Sequence, residues 1–134
     1  MSDKVSSQII KARKDIAAAR LLETDFPVQA FRLLGDAARS ALMATCMADG
    51  WDFESDTPEG QMLSVMSDDV FGRCGKRRLT AFLQAARTMQ EEGSFGDDFL
   101  VSPKDFECVT AFVEDADAYV EGFHPEMPQQ LAVA

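Results

Sequence analysis

Apolar side chains recur every three or four positions in five successive segments of this 134-residue chain. This is the spacing of one face of an α-helix, and no segment shows the strict alternation of a half-buried strand. The pattern predicts helices over residues 6–22, 27–48, 58–70, 76–92 and 103–123. We therefore expect an all-α protein, in the form of an up-and-down four-helix bundle with one additional short helix.

Residues that favour helix termini stand at several of these boundaries. Ser102 is placed to cap the last helix, and Asp105 stands where a carboxylate can reach back to the cap amide. Thr24 or Asp25 is expected to cap the second helix in the same way. Gly50 follows the second helix, where a left-handed glycine commonly ends a helix.

The length of the chain is that of one domain with a core of its own. We place this domain at residues 1–123. Residues 124–134 are predicted to be a mobile tail, because Pro125 and Pro128 stop any helix there.

The cysteines and the N-terminal residues indicate a cellular compartment. Cys46, Cys74 and Cys108 form no C-x-x-C pair, and any intramolecular bridge leaves one of the three over. We interpret them as reduced thiols in a cytoplasmic protein. The N-terminus has no apolar core of a secretory signal, and no window reaches the roughly 18 apolar residues that span a bilayer. Secretion and membrane insertion are not expected.

The net charge of −10, from 13 basic and 23 acidic residues, argues against wrapping nucleic acid or docking on anionic lipid. The charge is uneven, because residues 49–72 carry seven acids and no base, whereas residues 73–87 carry five bases and no acid. These five bases predict one basic patch around the fourth helix: Arg73, Lys76, Arg77, Arg78 and Arg87. The patch either pairs with acids such as Asp97 and Asp98 or with a second subunit, or contacts phosphate or an acidic partner.

Motifs of common catalytic and cofactor sites are missing from the sequence. There is no phosphate-binding loop, dinucleotide fingerprint or nucleophile elbow, and the one histidine, His124, lies in the tail. Neighbouring acids such as Asp68 and Asp69 point to different sides of a helix, so we predict no metal and no cofactor. Trp51 follows a helix end in an acidic loop, where it is either pinned under the bundle or exposed as an anchor for a partner.

The order of the segments resembles a known family. Residues 15–22, a short turn and residues 29–42 resemble the first two helices of HEPN domains, the higher-eukaryote and prokaryote nucleotide-binding helical bundles. Arg77-Arg78, Arg87-Thr88 and residues 105–123 are similar to the third and fourth core helices of the family. The resemblance implies a four-helix bundle that forms a homodimer. In active members it implies a metal-independent ribonuclease with an R-x(4-6)-H motif facing a shared cleft.

This sequence departs from the family at the histidine of that motif. The best match to the arginine is Arg87, and the residue five positions further on is Glu92. A carboxylate repels phosphate, and its ordinary pKa of about 4.3 leaves it without a proton to donate near neutral pH. The resemblance therefore implies a non-catalytic member with a relict cleft. The residues implied for this cleft are Asp36, Arg39, Arg87 and Glu92, with Arg77 and Arg78 at its rim.

HEPN relatives without the motif commonly act as binding modules, some beside minimal nucleotidyltransferases in toxin–antitoxin pairs and some in defence systems. The resemblance implies a protein-interaction module of this kind from a bacterium or phage. Its partner would be a nucleotidyltransferase or a nucleic-acid-binding protein, with weak or absent direct binding of nucleic acid. Two other hypotheses remain. One is an acidic inhibitor that mimics nucleic acid, and the other is a residual ribonuclease that uses Arg87 with Glu92 or a partner chain's His124.

Overall fold

The computed structural model describes residues 3–92 and 99–122, and these contain helices and no strand. The prediction of an all-α protein is confirmed. The α-helices are α1 (Asp3–Leu22), α2 (Pro27–Ala48), α3 (Glu59–Val65), α4 (Lys76–Glu92) and α5 (Pro103–Gly122), and a 3₁₀ helix (Asp68–Phe71) lies between α3 and α4. Over these ranges no helix has the length and apolar character needed to cross a membrane. Asp97, Asp98, His124 and the predicted tail lie outside the described residues.

The third predicted helix, over residues 58–70, is two elements in the structure. Met66 adopts an extended backbone (φ −100°, ψ 142°) and ends α3. The 3₁₀ helix that follows buries Val70 and Phe71. Because Met66 is also buried, the inward face continues across a break that the apolar spacing did not predict.

The start of α2 differs from its predicted cap. Neither Thr24 nor Asp25 caps the helix, because the N-cap residue is Phe26 and no side chain bonds to the free amides. The chain turns tightly instead, with the Phe26 amide donating to the Leu22 carbonyl at 2.7 Å. Pro27 then opens the helix at a position where its missing N–H costs nothing.

The start of α5 and the end of α2 agree with their predicted signals. The Ser102 hydroxyl accepts a hydrogen bond from the Lys104 amide at 3.1 Å, and the Asp105 carboxylate accepts one from the Ser102 backbone. The Ser102 side chain thus caps one free amide of the helix, and Asp105 reaches back to Ser102 as the acid of a capping box does. Gly50, which follows the C-cap residue Asp49 of α2, has a positive φ of 93°, which suits glycine because it has no Cβ.

Helix α2 lies at the centre of the fold, with 13 of its 22 residues buried and contacts to each of the other four α-helices. It approaches α4 closely at Gly35, where an added Cβ would lie 2.9 Å from the Ala86 Cβ. Helices α1 and α5 run antiparallel, since Arg13 pairs with Asp117 and the Arg20 guanidinium lies 4.8 Å above the centre of the Phe106 ring, nearer the start of α5.

The structure joins Cys74 and Cys108 in a disulfide, with their Cα atoms 4.9 Å apart. The expectation of three reduced thiols is therefore wrong for this pair. Its cause is tertiary: the turn before α4 packs against α5 and brings together two residues 34 positions apart. Cys46 is free and buried, and burial, helped by the charge of Asp49, raises the pKa of its thiol to about 12.

Charged groups hold the same turn against α5. Arg73 donates from its backbone amide to Asp115 at 2.9 Å and pairs through its side chain with Glu114 and Asp115. Gly72 has φ +51°, and a Cβ there would lie 2.2 Å from an Asp115 oxygen, so only glycine fits this close approach. Burial raises the pKa of Asp115, but the hydrogen bonds from Arg73 outweigh it and the net shift is downward.

Candidate functional site

A cleft of about 360 Å³ lies between α2, α4 and the segment that leads into α3. Its base adjoins the tight contact between Gly35 and Ala86. We call it the Arg39–Arg87 cleft. Its lining residues are Gly35, Asp36, Arg39, Ser55, Asp56, Glu59, Leu83, Ala86, Arg87 and Gln90.

Glu59 lies between the two arginines of this cleft. Its Oε1 is 3.1 Å from an Arg39 nitrogen, and its Oε2 is 3.1 Å from an Arg87 nitrogen. One carboxylate thus pairs with one guanidinium from α2 and another from α4. Its side chain is only 19% exposed, and ion pairs shielded from water are screened less by salt than exposed ones.

Arg39 has further partners within the protein. Its Nη2 donates to the Ser55 and Thr57 carbonyl oxygens, each at 2.6 Å. Arg39 therefore anchors the loop before α3 as well as binding Glu59. Arg87 has one ion-pair partner among the described residues, Glu59, and its side chain is 50% exposed.

Carboxylates outnumber guanidiniums in the cleft. Asp36 and Asp56 line it together with Glu59, against the two arginines. Burial raises the pKa of Asp36, and Lys11 and Arg39 oppose that shift while Asp15 adds to it. A cleft with this charge does not favour a phosphodiester, which is anionic itself.

The structure brings together three of the six residues implied for the relict cleft. Asp36, Arg39 and Arg87 line the same cavity. Arg77 and Arg78 do not, because they lie about 15 Å further toward the start of α4 at 1.5 Å per residue and line a different cavity. Glu92 ends α4, but its side chain is outside the described part of the chain.

The second cavity, of about 860 Å³, lies at the start of α4. We call it the α4 groove. Its lining residues are Asp68, Cys74, Gly75, Lys76, Arg77, Arg78 and Ala81.

The five bases of residues 73–87 do not form the single patch predicted for them. Arg73 pairs with acids of α5, and Arg87 pairs with Glu59. The basic patch is therefore reduced to the three cations that line the α4 groove, which are Lys76, Arg77 and Arg78.

Trp51 lies at the surface, with 44% of its area exposed. Its ring stacks on Phe53, with ring centres 5.6 Å apart and planes 7° from parallel. Its backbone amide donates to the Cys46 carbonyl and so ties the loop to the end of α2. The ring is therefore not pinned under the fold, and its role as an anchor for a partner stays a prediction.

The sequence did not reveal Glu59 as a cleft residue. In the sequence Glu59 is only an acid that follows Thr57 and Pro58 in a helix-start signal. No local pattern indicates that it meets arginines 20 positions before it and 28 positions after it. Within residues 3–92 and 99–122, no three His, Cys, Asp or Glu side chains are grouped to hold a metal ion.

Comparison with family models, with curated proteins and with solved structures found no match to this chain.

Proposed function

We propose that this protein is a non-catalytic protein-interaction module built as a HEPN-like four-helix bundle. The proposal extends the resemblance of α1, α2, α4 and α5 to the core helices of that family. In this proposal the module acts as a homodimer. It binds a protein such as a nucleotidyltransferase or a nucleic-acid-binding protein in a toxin–antitoxin or defence system.

The observation that carries this proposal is the pairing of Glu59 with Arg39 and Arg87 at 3.1 Å each. In ribonucleases of the resembled family, an arginine at the position of Arg87 binds phosphate. Here an internal carboxylate holds that arginine, and a phosphate that bound Arg87 would have to displace Glu59, which would then keep only Arg39 as a partner for a partly buried charge. The cleft is thus suited to stabilising the fold rather than to binding RNA.

Exposed apolar side chains at one end of the bundle support a role in protein binding. Leu21 at the end of α1 is 84% exposed, Phe26 before α2 is 56% exposed, and Leu100 before α5 is 75% exposed. The contact of Arg20 with Phe106 shows that the end of α1 and the start of α5 lie at the same end. Large apolar side chains grouped in one exposed region are typical of protein interfaces.

The proposal is tested by purifying the tagged chain from its own cells and measuring the mass of its complex by light scattering. We expect a species heavier than a dimer, that is, above twice the 14.7 kDa of one chain. It should persist at high salt, because an apolar interface is not screened.

A matched pair of variants locates the interface. The double variant Leu21→Ser, Leu100→Ser should no longer bind the partner, so the measured mass should fall to that of the dimer. Ile10→Ser, which changes an apolar side chain 53% exposed on α1, should leave the complex intact. Recovery of the wild-type chain alone, at the mass of one copy, would overturn the proposal.

The acidic-inhibitor hypothesis has one observation in its favour. Asp52, Glu54 and Asp56 are exposed between α2 and α3 and form no ion pair with any other described residue. An inhibitor that acts through these charges would release its basic target steeply as ionic strength rises. A complex with that salt dependence, retained in the Leu21→Ser, Leu100→Ser variant, would favour the inhibitor over the module.

A further inference from the structure

The first turn of α4 holds an unusual set of charges. Lys76, Arg77 and Arg78 are its first three residues, and the turn contains no acid. The amino end of a helix carries partial positive charge, so cations there are unfavourable by electrostatics alone. Residues that oppose a local preference without local compensation are typical of functional sites.

Among the described residues these three cations have no close ion-pair partner, although the Lys76 Nζ lies 5.9 Å from the centre of the Phe71 ring. Arg77 and Arg78 are exposed and form no ion pair with other residues in the described ranges. Lys76 has a long contact with Asp68, at 3.9 Å, and the Asp68 side chain is itself 89% exposed. The positive charge of the groove is therefore available to a ligand.

We propose that the α4 groove binds a short acidic segment of the partner protein. This inference rests on the proposed function, and it adds a charged contact to the apolar surface through which the module binds its partner. Arginine is suited to such recognition, since its planar guanidinium binds a carboxylate through two parallel hydrogen bonds.

The surroundings of the groove favour a short acidic peptide over a nucleic acid strand. Asp68 lines the groove itself, and Asp69 is exposed beside it. A nucleic acid strand carries a charge on every nucleotide and would meet these acids as it left the groove. A segment with two or three carboxylates ends within the groove, where Cys74, Gly75 and Ala81 supply a less polar surface for the rest of the peptide.

The test measures binding of a fluorescein-labelled peptide of three glutamates followed by five serines, called the glutamate peptide, by anisotropy at low salt. Its comparisons are an equally labelled glutamine peptide, with three glutamines in place of the glutamates, and a single-stranded DNA of eight thymidines. We expect the glutamate peptide to bind more tightly than either. Its affinity should fall by at least about tenfold in Arg77→Glu with Arg78→Glu, because two attractive charges become repulsive.

The control variant is Lys4→Glu with Lys14→Glu, which makes the same change in net charge at exposed positions of α1. Its affinity for the glutamate peptide should stay within about twofold of the wild-type value, since distant surface charges are largely screened. Thermal unfolding separates loss of binding from loss of folding. The Arg77→Glu, Arg78→Glu variant should unfold at a higher temperature than the wild type, because acids suit the first turn of a helix.

Three outcomes overturn the inference: equal binding of the glutamate and glutamine peptides, equal loss in both double variants, or tighter binding of the DNA that depends on Arg77 and Arg78. Failure of the proposed function can be distinguished from failure of this inference about the groove. A native complex whose affinity is unchanged in the Arg77→Glu, Arg78→Glu variant supports the module while contradicting the groove. A chain recovered without a partner contradicts the module, whatever the peptides show.

Discussion

Glu59 shows how a single side chain can determine the character of a cleft. Its two oxygens bind guanidiniums from α2 and α4, and so a position that would otherwise attract an anion is already filled by one. Asp36, on the other wall, is a half-buried carboxyl. Burial raises its pKa, with Lys11 providing the largest opposing effect.

Asp36→Asn is expected to stabilise the fold at neutral pH. A carboxyl with a raised folded-state pKa contributes most to stability below its unfolded pKa, near 3.8, and this contribution is lost as pH rises through the folded value. The asparagine carries no charge to bury, so its advantage should shrink as pH falls below about 4.

Urea denaturation of the wild type and the variant at pH 7 and near pH 3.5 measures this difference. Asp56→Asn, at an exposed position of the same cleft, is the control and should change stability little. A lower stability of Asp36→Asn at pH 7 would show that the carboxylate makes a favourable contact that outweighs its burial.

At the scale of elements, the contact between α2 and α4 depends on one glycine. A Cβ at Gly35 would lie 2.9 Å from the Ala86 Cβ, and neither helix backbone can move without disturbing the cleft beside it. Gly35→Ala should therefore destabilise the protein by about 1–3 kcal/mol from overpacking, less the gain of up to about 1 kcal/mol in helix propensity.

Gly60→Ala is the matched control for this substitution. Gly60 lies in α3, and a Cβ there meets no atom within 4 Å. The free energy of unfolding of the Gly60→Ala variant should rise by about 0.5–1 kcal/mol, because alanine restricts the unfolded chain more than glycine does. Equal changes in the free energy of unfolding for both variants would contradict the proposed role of the close approach at Gly35.

The disulfide between Cys74 and Cys108 fastens the turn before α4 to α5. It closes a loop of 34 residues, so reduction should lower the free energy of unfolding by about 3–4 kcal/mol. Denaturation with and without a reducing agent measures this loss. The control is Cys74→Ala with Cys108→Ala, in which reductant should have no effect. If reductant left the free energy of unfolding of the wild type unchanged, the bond would not stabilise the native chain.

The elements were predictable from the sequence because their signals are local. Helical spacing predicted α1, α2, α4 and α5 to within a few residues, and Ser102 with Asp105 predicted the start of α5. The extended backbone at Met66 and the cap at Phe26 depend on the tertiary fold. The Cys74–Cys108 bond and the pairing of Glu59 join positions far apart in sequence, which periodicity and capping rules do not address.

At the scale of the whole molecule, the sequence predicted the sign of each charged region but not its pairing. The five bases of residues 73–87 divide among α5, Glu59 and the α4 groove. This division separates two surfaces with different properties. In the Arg39–Arg87 cleft both arginines pair with an internal carboxylate, whereas the α4 groove presents cations to solvent.

The central claim of the proposed function is that this protein does not cleave RNA, because no histidine follows Arg87 at the spacing of the ribonuclease motif and Glu59 already holds Arg87. The most direct measurement is the length, on a denaturing gel, of a labelled single-stranded RNA after incubation with the purified wild type and with Glu59→Gln. We predict full-length RNA with both, because freeing Arg39 and Arg87 supplies no group that donates or accepts the proton. RNA cleavage by either chain that is abolished by Arg87→Ala would contradict the claim.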